Sequence, residues 1–354
     1  MIIHSKELAA VIAKLKPIIA SKTIINTMRC IYIDEHTMSA NNMESGAMYE
    51  VETGTEPFLL PADVANLCAS LPHGNVTIEP DKKPGVMLMQ CGEIKHKFPT
   101  IDISAYPSRP TVDPAKASEI RMDGERMEEM IRKVFYAAAE KDPREILEGV
   151  HFHREGGKLE VVAAKGTQIA VCTETGDTGA GDISMTIHRD AILKMLAFGL
   201  KDAVSVATDG STVTVTTGEG VFFCRQLAEQ YMNYRTIIEN IVMPDKAKVN
   251  KGELLAAIDR CAVCASVENE NNRTVRIALR EDSITVSSNG AGEYAETIPA
   301  ACEKELDIRF AIRPLRDMLK NTFDDEIIMR YGSAVQPIVT NYKDVQAMTT
   351  PIRY

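Results

Sequence analysis

Apolar residues recur at helical spacing in three places, and each stripe opens a segment of the same design. Leu8, Val11, Ile12 and Leu15 fall at i, i+3, i+4 and i+7. Met127, Met130, Ile131, Val134, Phe135 and Ala138 continue that spacing, and Leu254, Leu255, Ile258, Ala262 and Ala265 do so again. One stripe per helix predicts one packed face and one wet face. Asn250 with Glu253 has capping-box spacing at the third of these helices. Strands follow each helix. Thr212-Val213-Thr214-Val215-Thr216 alternates strictly and predicts a hairpin with Val204-Ser205-Val206 across the turn Asp209-Gly210. Val76-Thr77-Ile78 with Val86-Met87-Leu88 is its counterpart in the first segment, and Glu326-Ile327-Ile328-Met329 opens the one in the third.

A second helix is predicted at Leu60-Pro61-Ala62-Asp63-Val64, at residues 187–192 and at Ile312-Arg313-Pro314-Leu315-Arg316. These anchors are spaced by 127 and 125 residues. Tyr106-Pro107 and Tyr231-Met232 close the first two segments, 125 residues apart. Solenoid repeats run about 20–50 residues, whereas this period is the size of a domain. Residues 107–114 and 243–248 read as linkers, which predicts domains at 1–115, 116–243 and 244–354. Two helices against antiparallel sheet, three times over, is an α+β architecture, and three such units in a row suggest a ring or an arc.

The 354 residues are 45% apolar, enough for each third to bury a core. No run of about 18 apolar residues is present, and the start Met1-Ile2-Ile3-His4-Ser5-Lys6 is not a signal peptide. These features predict a cytoplasmic protein. The eight cysteines, several inside apolar runs, read as buried thiols in a reducing compartment. Catalytic signatures are missing: there is no phosphate loop, nucleophile elbow or His-Glu-x-x-His. Gly179-Ala180-Gly181 reads as a loop. Cys261-Ala262-Val263-Cys264 lies late on an amphipathic helix and reads as packing or interface. His151 and His153 share a strand face without a third ligand, and Glu128-Glu129 read as a solvated helix face. No metal or cofactor is expected, and a binding protein is favoured over an enzyme.

Net charge is −10, which on average argues against nucleic acid. The cations nevertheless concentrate on predicted helices: Lys14, Lys16, Arg132, Lys133, Lys251 and Arg260 on the first of each pair, and Arg189, Lys194, Arg313, Arg316 and Lys320 on the second. On one face they would form a stripe that grips phosphate without reading bases. The alternative is ordinary helix solvation.

Three tandem α+β units, cation-bearing helices and the ending Thr350-Pro351-Ile352-Arg353-Tyr354 together resemble the bacterial DNA sliding clamp family. Residues 58–64, 71–74, 98–100 and 104–107 look like the family's first-domain helix, turn and closing segment. The resemblance covers the whole chain. It implies a head-to-tail homodimer whose domains circle duplex DNA without sequence preference. It implies no catalysis of its own and no membrane. Partners, namely replicative polymerase, clamp loader and repair proteins, would dock through short peptides. By the resemblance, Arg144, Leu147, Gly166, Ile169, Tyr234, Ile237, Val335, Pro337, Met348, Pro351, Ile352 and Arg353 line the peptide pocket. Lys22 joins Lys14, Lys16, Arg132, Lys133, Arg189, Lys194, Lys251, Arg260, Arg316 and Lys320 on the DNA side. Lys95, Lys97 and Phe98 match one edge of the dimer interface, with Val263, Cys264, Glu268, Glu270 and Glu293 on the other. Lys165, Thr167, Gln168 and Met232 depart from the family's usual pocket residues, so the preferred peptide would differ. The alternatives are a clamp-like docking module that no longer circles DNA, and an enzyme of unknown type on a triplicated scaffold.

Overall fold

The computed structural model describes residues 1–20, 23–264, 273–289, 293–322 and 324–352. Seven α-helices lie among them: α1 (Ser5–Leu15), α2 (Ala62–Cys68), α3 (Gly124–Phe135), α4 (Arg189–Phe198), α5 (Tyr234–Glu239), α6 (Lys251–Cys264) and α7 (Ile312–Lys320). The chain forms two compact units, Met1–Glu128 with Asp177–Ala228, and Glu129–Gly176 with Glu229–Tyr354.

Each repeat is itself doubled. A short strand enters a helix, three strands follow, and the whole pattern is then made again. The entering strands escape the sequence reading because they are short. The first is only Ile2–His4, and the third, Asp245–Asn250, occupies what reads as a linker. Its alternation explains the correction: Ala247 and Val249 are buried while Lys246, Lys248 and Asn250 point out. Each entering strand joins the sheet of the opposite half. Ile2–His4 pairs with Asn75–Pro80, and Phe58–Pro61 with Cys30–Ile33. In the third repeat Asp245–Asn250 pairs with Glu326–Tyr331, and Leu306–Ala311 with Thr274–Arg280. This exchange ties the two halves of a repeat into one core.

In the first unit an eight-stranded antiparallel sheet runs in the order Phe58–Pro61, Cys30–Ile33, Thr37–Asn41, Ser45–Glu50, Gly220–Arg225, Thr212–Thr217, Ala203–Thr208, Ser118–Asp123. The expected hairpin is there, with Val206 opposite Val215. The junction between repeats is the pair Ser45–Glu50 and Gly220–Arg225. Two glycines permit it. A Cβ on Gly220 would stand 2.1 Å from the Met48 carbonyl oxygen, and one on Gly46 would stand 2.1 Å from the Phe223 ring. Helices cover one face of this sheet. Tyr49 points to that side, its ring 5.0 Å from Phe198 of α4 and its hydroxyl donating to the Phe198 carbonyl at 2.9 Å. Gly46 and Met48, three positions and one position away, therefore face the other way.

In the second unit the equivalent junction pairs Gln168–Glu174 with Val345–Thr349. The third-repeat core gathers Leu254, Ile258 and Cys261 of α6, Leu315, Met318 and Leu319 of α7, and sheet residues such as Phe310 and Tyr331. Asn250 caps α6, accepting from the Glu253 N–H at 3.0 Å, as its spacing predicts.

Candidate functional site

The second junction brings part of the expected pocket together. Ile169 stands opposite Met348 in the ladder, both 4% exposed. Thr350 continues the contact, its N–H donating to the Thr167 carbonyl at 2.9 Å. Ile338 pairs with Thr349, which places Pro337 and Val335 just beyond the same strand end. Val335, Ile352 and Ile237 are 58%, 38% and 37% exposed. Gly166 at the hairpin tip is open, with nothing within 4 Å of a built Cβ. The Ile352 N–H donates to the Arg309 carbonyl at 2.9 Å and pins the tail. Arg353 lies outside the described residues.

Other members of that set make contacts within the fold. Leu147 is buried in the turn Glu145–Glu148. Arg144 is exposed and bonded through Nε to Asp142 at 3.2 Å. Tyr234 is 5% exposed, and its hydroxyl donates to Glu160. Glu160 also receives Arg235 Nε at 2.8 Å and Lys158 Nζ at 2.7 Å. Burial pushes the Glu160 carboxyl up, but these donors outweigh it and hold the group below its usual range. The replacements that depart from the family pattern are built in. Lys165 Nζ donates to the Tyr136 carbonyl at 2.9 Å, and Gln168 Nε2 to the Pro314 carbonyl at 2.8 Å.

The expected DNA-side cations are not a uniform free stripe. Lys133 is the clear correction: it is 5% exposed, with Nζ 2.7 Å from Glu129 and 3.2 Å from Asp344. A buried ammonium needs such partners, so it braces the fold and offers nothing to solvent. Lys14 is paired with Glu219 and lies 5.0 Å from the Tyr49 ring centre. Lys194 reaches Ser45 at 3.2 Å, Lys251 the Thr322 carbonyl at 2.8 Å, and Arg316 the Asp259 carboxylate at 3.3 Å. Arg260 clamps Glu296 with two donors, and those hydrogen bonds lower the Glu296 carboxyl to about 2. Arg189 is half-buried, whereas Lys16, Arg132 and Lys320 are exposed. Lys22 lies outside the described residues.

The dimer set needs one correction. Phe98 is 3% exposed, opposite Met87 in its sheet, so it belongs to the core. The strand Ile94–Pro99 instead presents Ile94, Lys95 and Lys97 outward, with Lys97 held 2.7 Å from Asp81. Val263 is 79% exposed at the end of α6, Cys264 is half-exposed and Glu293 is exposed. Glu268 and Glu270 lie outside the described residues.

The histidine pair has a structural explanation. His151 is buried and stacked on Tyr231, rings 4.4 Å apart, and His153 lies 3.5 Å from Glu155. No group of three metal-ligating side chains occurs among the described residues. None of the eight cysteines, all among the described residues, forms a disulfide. Burial pushes the Cys30 and Cys68 thiols up to about 11 and Cys224 to about 12, so they stay protonated and inert. No helix among the described residues is long and apolar enough to cross a membrane.

Residues 121–233 match the family model for the central domain of the DNA polymerase III β subunit, and residues 243–352 match that for its C-terminal domain. The β sliding clamp of Synechococcus elongatus is 27% identical over 293 residues, covering 79% of this chain and 76% of that one. The clamp of Bacillus subtilis is 25% identical over 303 residues, covering 82% and 78%. The fold matches the crystal structure of the DNA polymerase III β subunit from Pseudomonas aeruginosa with a TM-score of 0.89 at 18% identity, over 100% of both chains. It matches that from Thermotoga maritima with 0.89 at 20% identity, over 100% and 99%. The order of repeated elements, the domain models and the likeness over the full length agree: this chain belongs to the bacterial DNA sliding clamps, the β-subunit family of DNA polymerase III.

Proposed function

We propose that two copies of this chain close head to tail around duplex DNA and hold polymerase, loader and repair partners by short peptides seated at the second junction. The observation that carries this reading is which strand edges remain open. The last strand of one half-repeat pairs with the last strand of the next repeat twice within the chain, at Ser45–Glu50 with Gly220–Arg225 and at Gln168–Glu174 with Val345–Thr349. By the same rule two strands are left over. Among the described residues Ile94–Pro99 has a partner on one side only. Residues 293–299 are paired only with Ser283–Asn289 among the described residues. An open edge is a template for another strand. Joining Ile94–Pro99 of one copy to Glu293–Cys302 of the next makes a third junction of the same kind and sets Lys95 near Glu293. A heterologous contact that closes yields a ring.

Such an assembly needs no catalytic group and no base reader. Weak phosphate contacts from exposed lysines and arginines suffice, because topology holds the duplex. The exposed apolar side chains of Val335 and Ile352, with Pro351 beside them and Ile169 and Met348 buried in the junction, suit a peptide with apolar anchors. Negative-stain electron microscopy at micromolar concentration tests the assembly. Six-lobed rings with an open centre are expected. Single three-lobed particles would replace this reading with a docking module that does not circle DNA.

A further inference from the structure

The helix-free face of the first unit's sheet carries a cavity of about 430 Å³. Met48 and Phe223 form its floor, and residues 103–109 form one wall. That wall is held in place. Tyr106 stacks on Tyr32 at 5.2 Å, and its hydroxyl donates to the Ser39 carbonyl at 3.3 Å. Asn41 Nδ2 donates to the Pro107 and Ser108 carbonyls at 3.4 and 3.3 Å. Gly46 is required here, since its missing Cβ is what lets the Phe223 ring lie across the strand. Asp34, at the margin, already accepts from the Thr37 N–H and hydroxyl at 2.8 and 2.9 Å. Arg109 stands at the mouth, exposed, with Nη1 3.4 Å from Met48 Sδ and no carboxylate in reach among the described residues.

The ladder registers give this cavity a counterpart. Gly46 faces Phe223 at the first junction, and Ile169 faces Met348 at the second. Next along, Ala47 pairs with Phe222 and Ala170 with Ala347. Phe222 lies 6.1 Å from Phe198 of α4, and Ala347 belongs to the third-repeat core. Phe223 and Met348 therefore point to the helix-free side at equivalent positions of the repeat.

We propose that the Phe223 cavity is a second docking site for a partner peptide, one that carries a large apolar side chain with a carboxylate beside it. The volume fits such a side chain. Tyr32, Met48, Ile103, Tyr106 and Phe223 give the lining an apolar, aromatic part. Its polar residues Asp34 and Asn41 are already hydrogen-bonded within the fold, and the guanidinium at the mouth matches a carboxylate in charge and shape. The comparison of junctions rests on the peptide reading above; the cavity, its lining and Arg109 do not.

Calorimetry on the full chain tests this with acetyl-Gly-Leu-Phe-Asp-Gly-amide as probe. The double variant Val335→Asp, Ile352→Asp closes the second junction at exposed positions. Wild type should bind two probes per chain and the double variant one. Adding Arg109→Asp should weaken the remaining site about tenfold, the order of a charge-assisted hydrogen bond. The same probe with Lys in place of Asp should restore it. Loss of all binding in the double variant, or a remaining site indifferent to Arg109→Asp, would overturn the proposal. Two intact sites in the double variant, one of them weakened by Arg109→Asp, would instead refute the peptide reading of the second junction and leave this cavity standing.

Discussion

Phe98 and Ile94 sit four positions apart on one strand, so the pleat points them to the same face, but Phe98 is buried in mid-strand whereas Ile94, at the strand's end, is exposed. Phe98 is buried, so Phe98→Asp places an uncompensated charge in a core. It should cost more than about 3 kcal/mol, read as a large fall in the urea midpoint rather than as clean monomers. Glu160 gives a pH dependence. Its carboxyl is held below the ordinary value of 4.5 by Lys158, Tyr234 and Arg235 against the opposing effect of burial. A depressed carboxyl contributes stability above its unfolded value, and that contribution is lost as pH falls below about 4.5 through the folded value. Urea midpoints from pH 6 down to pH 3 should therefore drop, and Glu160→Gln should flatten the drop while lowering stability at pH 7. An unchanged slope in that variant would exclude Glu160 as the source.

At the level of elements, the junction strands depend on two absent side chains. Gly46→Ala drives a methyl into the Phe223 ring, and neither strand can yield without breaking its ladder. Overpacking of this kind costs about 1–3 kcal/mol, so the thermal midpoint should fall, with Phe223→Leu in the same chain recovering part of the loss. Full stability in Gly46→Ala would show that the ring moves aside freely. The three first helices were legible because their apolar spacing is long and regular. The entering strands were not: three to six residues carry too little periodicity, and their burial comes from partners far along the chain, as for Ile3 opposite Val76 and Leu60 opposite Ile31. The Lys133 reading failed for a related reason. A lysine on a helix looks solvated until the fold carries Asp344 to it.

At the scale of the molecule, the open edges make a prediction that no single residue shows. Ile94 is 39% exposed at the strand's end, so Ile94→Asp charges the edge at far less cost to the core than Phe98→Asp. In light scattering the wild type should run at twice 39.0 kDa and the variant at 39.0 kDa. A variant that stays paired would move the contact elsewhere.

The amino-acid order alone determined the triplication, the helix stripes, the turn at Asp209-Gly210 and the cap at Asn250, because each depends on neighbours within a few residues. The resemblance read from it also placed Ile169 and Met348 in one site, and the ladder makes them partners. Only the tertiary structure decided which cations remain for solvent, that Phe98 turns inward, and that a cavity opens over Phe223. Those outcomes depend on strand register, and one step of register exchanges the face on which every side chain lies.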